Sequence, residues 1–130
     1  MPAPAFTALP FVVYPVSDMV RARAFFAHVL GLHETATWED KWVEYDIGQG
    51  TLALSSMMQG CSPGALGAAA ALETPDFDAA LAHLKAHGVR FLLEPIDSGI
   101  CHFARFTDPE GNHLILHRAH APQRPDTPRS

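Results

Sequence analysis

The sequence predicts an α+β fold built from two βαβββ modules. Two observations carry this reading. The first is a repeat: a strand, an aspartate, an amphipathic helix, a glycine and further strands occur twice in the same order. The repeat's aspartates, Asp18 and Asp76, are 58 positions apart; Gly31 follows the first by 13 positions and Gly88 the second by 12. The second is the stretch 106–116, FTDPEGNHLIL, in which Asp108-Pro109-Glu110-Gly111-Asn112 reverses the chain between two apolar runs. Pro109 fixes φ, Gly111 permits a positive φ, and Asp108 and Asn112 have side chains short enough to bond the turn backbone. A single βαβββ unit cannot cover both its helix and its sheet, whereas a repeated pair can.

Residues 1–8, with Pro2 and Pro4, are expected to form a short arm. The apolar run 9–16, LPFVVYPV, is the first strand, and Pro15 marks it as an edge or a bend. Ser17 or Asp18 caps the first helix. Ala22, Phe25, Phe26, Val29 and Leu30 recur at helical spacing and form its apolar face, and Gly31 ends it. Strands follow over 33–38, 41–47 and 51–57, the last two joined by Gly48-Gln49-Gly50. Residues 9–57 are thus a first module, and 58–66, with Gly60, Pro63 and Gly64, a linker.

The second module covers 67–119. Residues 68–74, AAAALET, would favour a helix on propensity alone, but the pattern after them makes them a strand. Thr74-Pro75-Asp76 supplies an N-cap, a first-turn proline and an acid at the positive helix end. Phe77, Ala80, Leu81 and Leu84 form the apolar face of the helix, which Gly88 stops. A strand over 89–93, a loop over 95–99 and a hairpin of 100–106 with 113–118 complete the module. Residues 120–130 are polar and proline-rich, and are expected to be a flexible tail.

The chain has 130 residues, 48% of them hydrophobic and 18% charged, which suits a packed core rather than disorder. A net charge of −5 without any basic cluster argues against nucleic acid as a partner. No apolar run approaches the roughly 20 residues that span a bilayer, and the N-terminus lacks a secretory pattern, so a cytoplasmic protein is expected. Cys61 and Cys101 read as free thiols rather than a disulfide framework.

Segments 16–32 (VSDMVRARAFFAHVLGL), 41–54 (KWVEYDIGQGTLAL), 72–91 (LETPDFDAALAHLKAHGVRF) and 106–116 resemble, in that order, the vicinal oxygen chelate superfamily of glyoxalase I, bleomycin-resistance proteins and extradiol dioxygenases. The resemblance implies mixed sheets that curl into an open cup, often completed in a homodimer. In metal-dependent members, His, Gln or Glu ligands on four strands face the cup. The resemblance puts those positions at Phe11 and Ala69, each seven residues before its aspartate, at Ala53, and at Ile115, seven after Asp108. Phe, Ala, Ala and Ile carry no side-chain donor, whereas a Lewis-acid centre requires nitrogen or oxygen ligands. Neither a metal nor another cofactor, nor a catalytic residue, is therefore assigned.

Other residues offer binding rather than catalysis. Phe11, Trp38, Trp42, Tyr45 and Phe103 lie on predicted strands; with Ala53, Ala69 and Ala71 they suggest a pocket for a planar or apolar small molecule. Ordinary core packing is the competing reading, most of all for Tyr45 and Phe103. His113 and His117 share strand parity with Ile115, and Glu73 with Ala69, so these polar groups are candidates to orient a ligand. Arg105 is either an anchor for an anion or a sheet-edge residue, its face unfixed. His83 and His87 read as an exposed helix face.

The leading expectation is a metal-free small-molecule-binding protein of the bleomycin-resistance kind. One alternative is a lyase, isomerase or dioxygenase using a relocated metal site of His102, His113 and His117, since imidazole suits transition metals. Another is a non-catalytic regulatory or interaction module.

Overall fold

The structure, a computed structural model, describes residues 8–58 and 60–120. The expected arm (all but Ala8) and the expected tail (all but His120) lie outside the described residues. The chain divides into two compact units, with the boundary between Pro63 and Gly64.

In the first unit, strands β1 (Val12–Pro15), β2 (His33–Trp38), β3 (Trp42–Ile47) and β4 (Gly50–Ser55) form a four-stranded mixed sheet in the order β1-β4-β3-β2. β1 runs parallel to β4 and the other neighbours are antiparallel. Pro15 lies in an edge strand, where a missing ladder donor costs little. Helix α1 (Met19–Ala24) crosses from β1 to β2, and Asp18 is its cap, its carboxylate accepting the Arg21 N–H at 3.0 Å.

The helix continues as one π-helical turn over Phe25–Val29, closed by Leu30 N–H donating to the Phe25 carbonyl at 3.0 Å. The wider turn holds one residue more than an α-helical turn would, which accounts for the 13-position spacing from Asp18 to Gly31 against 12 in the second unit. Phe25 and Phe26, consecutive in sequence, are both buried. Phe26 stacks on Tyr45 with centroids 6.1 Å apart, so Tyr45, Val43, Leu52, Leu54 and Tyr14 form the sheet face that packs against the helix. Burial of each such side chain is worth about 1.5–3 kcal/mol.

The second unit repeats the plan. Strands β5 (Ala70–Glu73), β6 (Phe91–Asp97), β7 (Cys101–Thr107) and β8 (His113–Ala119) lie in the order β5-β8-β7-β6, with β5 parallel to β8. Helix α2 (Phe77–Ala86) packs on the face that carries Leu72, Ala104, Phe106, Leu114 and Leu116. Its cap is Asp76, which accepts the Ala79 N–H at 3.0 Å, and not Thr74; the Thr74 hydroxyl instead accepts the Asp76 N–H at 3.4 Å.

The segment expected to loop over 95–99 is also different. β6 runs on through Pro95 to Asp97, with register shifts between Phe91 and Leu93 and between Leu93 and Ile96. It is an edge strand, so Pro95 forfeits no inner ladder bond. The β7–β8 turn is closed by Asp108, a buried residue. One carboxylate oxygen accepts the N–H groups of Glu110 (3.0 Å) and Asn112 (2.8 Å), and the other accepts Asn112 Nδ2 at 2.9 Å. Asn112 Oδ1 in turn accepts the Gly64 N–H at 2.9 Å, tying the linker to the turn. Burial pushes the Asp108 carboxyl above its ordinary value, against the pull of these hydrogen bonds.

Candidate functional site

A sheet with a helix on one face has a second face, and strand alternation decides what that face carries. In the first unit, the β1–β4 and β3–β4 registers set Val13, Ala53 and Glu44 side by side, and Pro15, Ser55 and Trp42. The β2–β3 register adds Trp38 opposite Trp42 and Ala36 opposite Glu44. Phe11, just ahead of β1, meets Trp42 edge to face, with centroids 5.4 Å apart and planes at 89°. This face, turned away from α1, therefore holds Phe11, Trp38 and Trp42 together. Trp38 is 57% exposed and Phe11 41% exposed. Ala53 is on the same face but fully buried, so it is floor rather than accessible wall.

Trp42 is fixed by its own neighbour, its indole Nε1 donating to Glu44 Oε2 at 2.9 Å. Glu44 was not singled out from the sequence, although its two-residue spacing from Trp42 on one strand puts both on one face. Tyr45, offered by the sequence as a pocket aromatic, is on the other face in the core. Burial and the nearby Glu34 carboxylate push its phenol up to about 12. Among the described residues its hydroxyl is the buried side-chain oxygen that makes no hydrogen bond.

In the second unit the face away from α2 is set by the β5–β8 and β7–β8 registers. Ala71, Ile115 and Arg105 are neighbours across three strands, and so are Glu73, His117 and Phe103. His113 pairs with Thr107 on the same face. Arg105 therefore shares a face with Ile115, which the sequence left open, and its side chain is exposed. Ala69 lies just ahead of β5, as Phe11 lies ahead of β1. Glu73 and His117 are joined, His117 Nδ1 standing 2.5 Å from Glu73 Oε1, while Glu73 Oε2 accepts the Ala119 N–H at 2.8 Å.

His102 departs from the expected grouping. It pairs with Arg118, one step out of phase with His117, and its ring lies 5.9 Å from that of Phe77 on α2. It is on the helix side of the sheet, so His102, His113 and His117 cannot converge on one ion.

The four positions at which the resemblance implies metal ligands are equivalent in the two sheets. Val13, two residues after Phe11, pairs with Ala53; Ala71, two residues after Ala69, pairs with Ile115. None of the four side chains has a donor atom, so these residues do not fit a metal centre of that type.

Two mixed sheets of identical strand order, each backed by one helix after its first strand, define a duplicated βαβββ protein. Residues 8–116 match the sequence profile of the Glyoxalase/Bleomycin resistance protein/Dioxygenase superfamily, and the chain belongs to that family. No curated protein matches the sequence. Among solved structures, it is similar to TnmS3, an antibiotic binding protein from Streptomyces sp. CB03234. Identity is 26%, the TM-score is 0.77, and the match covers 90% of this chain and 99% of that one. It is also similar to a glyoxalase/bleomycin resistance protein from the same Streptomyces strain, with 27% identity, a TM-score of 0.72, and coverage of 84% and 98%. Lactoylglutathione lyase from Agrobacterium tumefaciens shares the fold at 19% identity, with a TM-score of 0.69 and coverage of 88% and 95%.

Proposed function

We propose that this protein binds a planar or apolar small molecule on the sheet faces turned away from its helices, and does so without a metal ion at the four positions that the family resemblance implies. The carrying observation is the cluster of Phe11, Trp38 and Trp42 on one exposed strand face. Solvent-facing aromatic surface has a cost in water that a stacked ligand removes. The donor-free residues Phe11, Ala53, Ala69 and Ile115 support the metal-free part of the reading. The antibiotic binding of TnmS3, at 26% identity, supports a ligand of natural-product size.

In this reading residues 9–57 and 67–119 are the two modules. In the first unit the aromatic face supplies stacking; in the second, Glu73, Arg105, His113 and His117 give that unit's own face groups for orientation and charge. The assembly is a homodimer, as the resemblance implies. The chain's tryptophans, two in all, both lie on the proposed face, so intrinsic fluorescence reads occupancy directly. Titration with a panel of aromatic antibiotics and metabolites is the test. A binder should quench the emission and raise Tm by mass action. If no compound changes either signal, the reading fails.

A further inference from the structure

At the far end of the second sheet, on the side that carries α2, three side chains from separate segments converge. Asp97 ends β6, His102 is second in β7, and His120 directly follows β8. One candidate ligand atom from each lies within 4.8 Å of the other two. His120 Nε2 is 3.1 Å from Asp97 Oδ1, and His102 Nε2 is 3.4 Å from Asp97 Oδ2. The two imidazoles lie beside each other, centroids 4.9 Å apart and planes tilted by 49°.

We infer that Asp97, His102 and His120 form a binding site for a divalent transition metal. The convergence of two imidazoles and a carboxylate from three separate segments is the observation that carries this. Zinc takes nitrogen and oxygen ligands at about 2.0–2.2 Å, so two donors on one tetrahedral ion stand roughly 3.3 Å apart. Each imidazole already has one Asp97 oxygen at about that separation, His120 beside Oδ1 and His102 beside Oδ2, and the three ligand atoms, all within 4.8 Å of one another, would draw together around the ion.

The backbone holds the three segments in place. Ser98 N–H donates to the Cys101 carbonyl at 2.9 Å, closing the β6–β7 turn, and His120 N–H donates to the Ile100 carbonyl at 2.9 Å, seating the end of β8 against it. The Gly99 N–H donates to Asp97 Oδ1 at 2.9 Å. That hydrogen bond fixes the orientation of the carboxylate beside the two imidazoles.

Two imidazoles and one carboxylate suit zinc, nickel, cobalt or ferrous iron rather than magnesium or calcium. Three protein ligands leave at least one coordination position for water or another donor. His102 also lines a cleft of about 240 Å³ with Asp76, Phe77, Asp78 and Arg118, so there is room for such a donor beside it. The ion would clip the β6–β7 hairpin to the end of β8.

The test uses untagged, metal-stripped full-length protein, with Co²⁺ followed by its visible absorption and Zn²⁺ by calorimetry. The expected result is one ion per chain. Affinity should fall at least tenfold in His102→Ala and, separately, in His120→Ala, and persist in His83→Ala, which alters a different histidine pair on α2. Circular dichroism checks that each variant is folded. Failure to bind, or binding that survives both His102→Ala and His120→Ala, would overturn the inference. The outcome is independent of the aromatic face, which the fluorescence titration reports separately.

Discussion

Glu73 and His117 are neighbours on parallel strands β5 and β8, and one glutamate holds both the imidazole and the backbone beyond it. The carboxylate takes His117 Nδ1 on one oxygen and the Ala119 N–H on the other. Second partners of this kind fix a histidine's tautomer and its ring plane. In Glu73→Ala, ligand affinity should fall by about tenfold. The carboxylate is half exposed, so unfolding stability should change by only about 1 kcal/mol or less. Calorimetric titration and denaturant melts of the same variant separate the two effects.

Removal of the rings should affect ligand and fold differently. Trp38 is largely exposed, so Trp38→Ala should cost about 0.5 kcal/mol of stability or less, yet weaken an aromatic ligand. Trp42→Ala should cost more, because it also removes the edge-to-face contact with Phe11, worth about 0.5–1.5 kcal/mol beyond area. Chemical denaturation of the two variants measures the difference.

Tyr45 should be better replaced by phenylalanine. Its hydroxyl is buried without a hydrogen bond, so Tyr45→Phe removes a desolvated polar group while keeping the stack on Phe26. Stability should rise by about 1 kcal/mol. The phenol's raised value sets the sign of a pH effect: the native state favours the protonated form. Tyr45 thus contributes stability that is fully present below pH 10 and lost as pH climbs from 10 towards 12. Urea melts across that range should show a steeper alkaline loss in the wild type than in Tyr45→Phe.

Asp108 should be hard to replace. Asp108→Ala removes the carboxylate that accepts the N–H groups of Glu110 and Asn112 and the Asn112 amide in a buried turn, and should cost about 2–3 kcal/mol. Because burial raises its carboxyl, the native state holds that proton more tightly than the unfolded chain. The contribution is present below the ordinary carboxylate value and declines as pH rises through the raised one. Acid-range melts of the wild type against Asp108→Asn would show the wild type gaining relative stability as pH falls.

Local punctuation made much of the fold legible. The aspartate–helix–glycine spacing located both helices, and the Asp108–Asn112 turn located the last hairpin. Elsewhere strand pairing overrides local propensity. Pro95 signals a loop, but an edge strand tolerates it, so β6 runs two residues beyond it. The sequence suggests His102 beside His113 and His117, yet the five-residue turn pairs Thr107 with His113. Counting back from that pair sets Phe103, not His102, beside His117. The Asp97–His102–His120 cluster was not legible, because two register shifts in β6 decide where Asp97 falls and because His120 sits in what reads as a tail. Of the aromatics, Tyr45 differs from Trp42 only by strand parity, and which parity faces the helix emerges only with the packing of Phe26.

The π-helical turn at Phe25–Val29 makes the first helix a tolerant ruler. Its surplus residue is taken up inside a single turn, so the helix begins at an aspartate cap and ends at a left-handed glycine, as its one-residue-shorter counterpart does. Gly31 and Gly88 have φ of 72° and 73°. A deletion at Ala27 would therefore shorten the chain by one residue without rotating either end of the helix. An insertion in α2 would have to find a similar outlet or turn the following strand by about 100°, the angular step per residue of an α-helix.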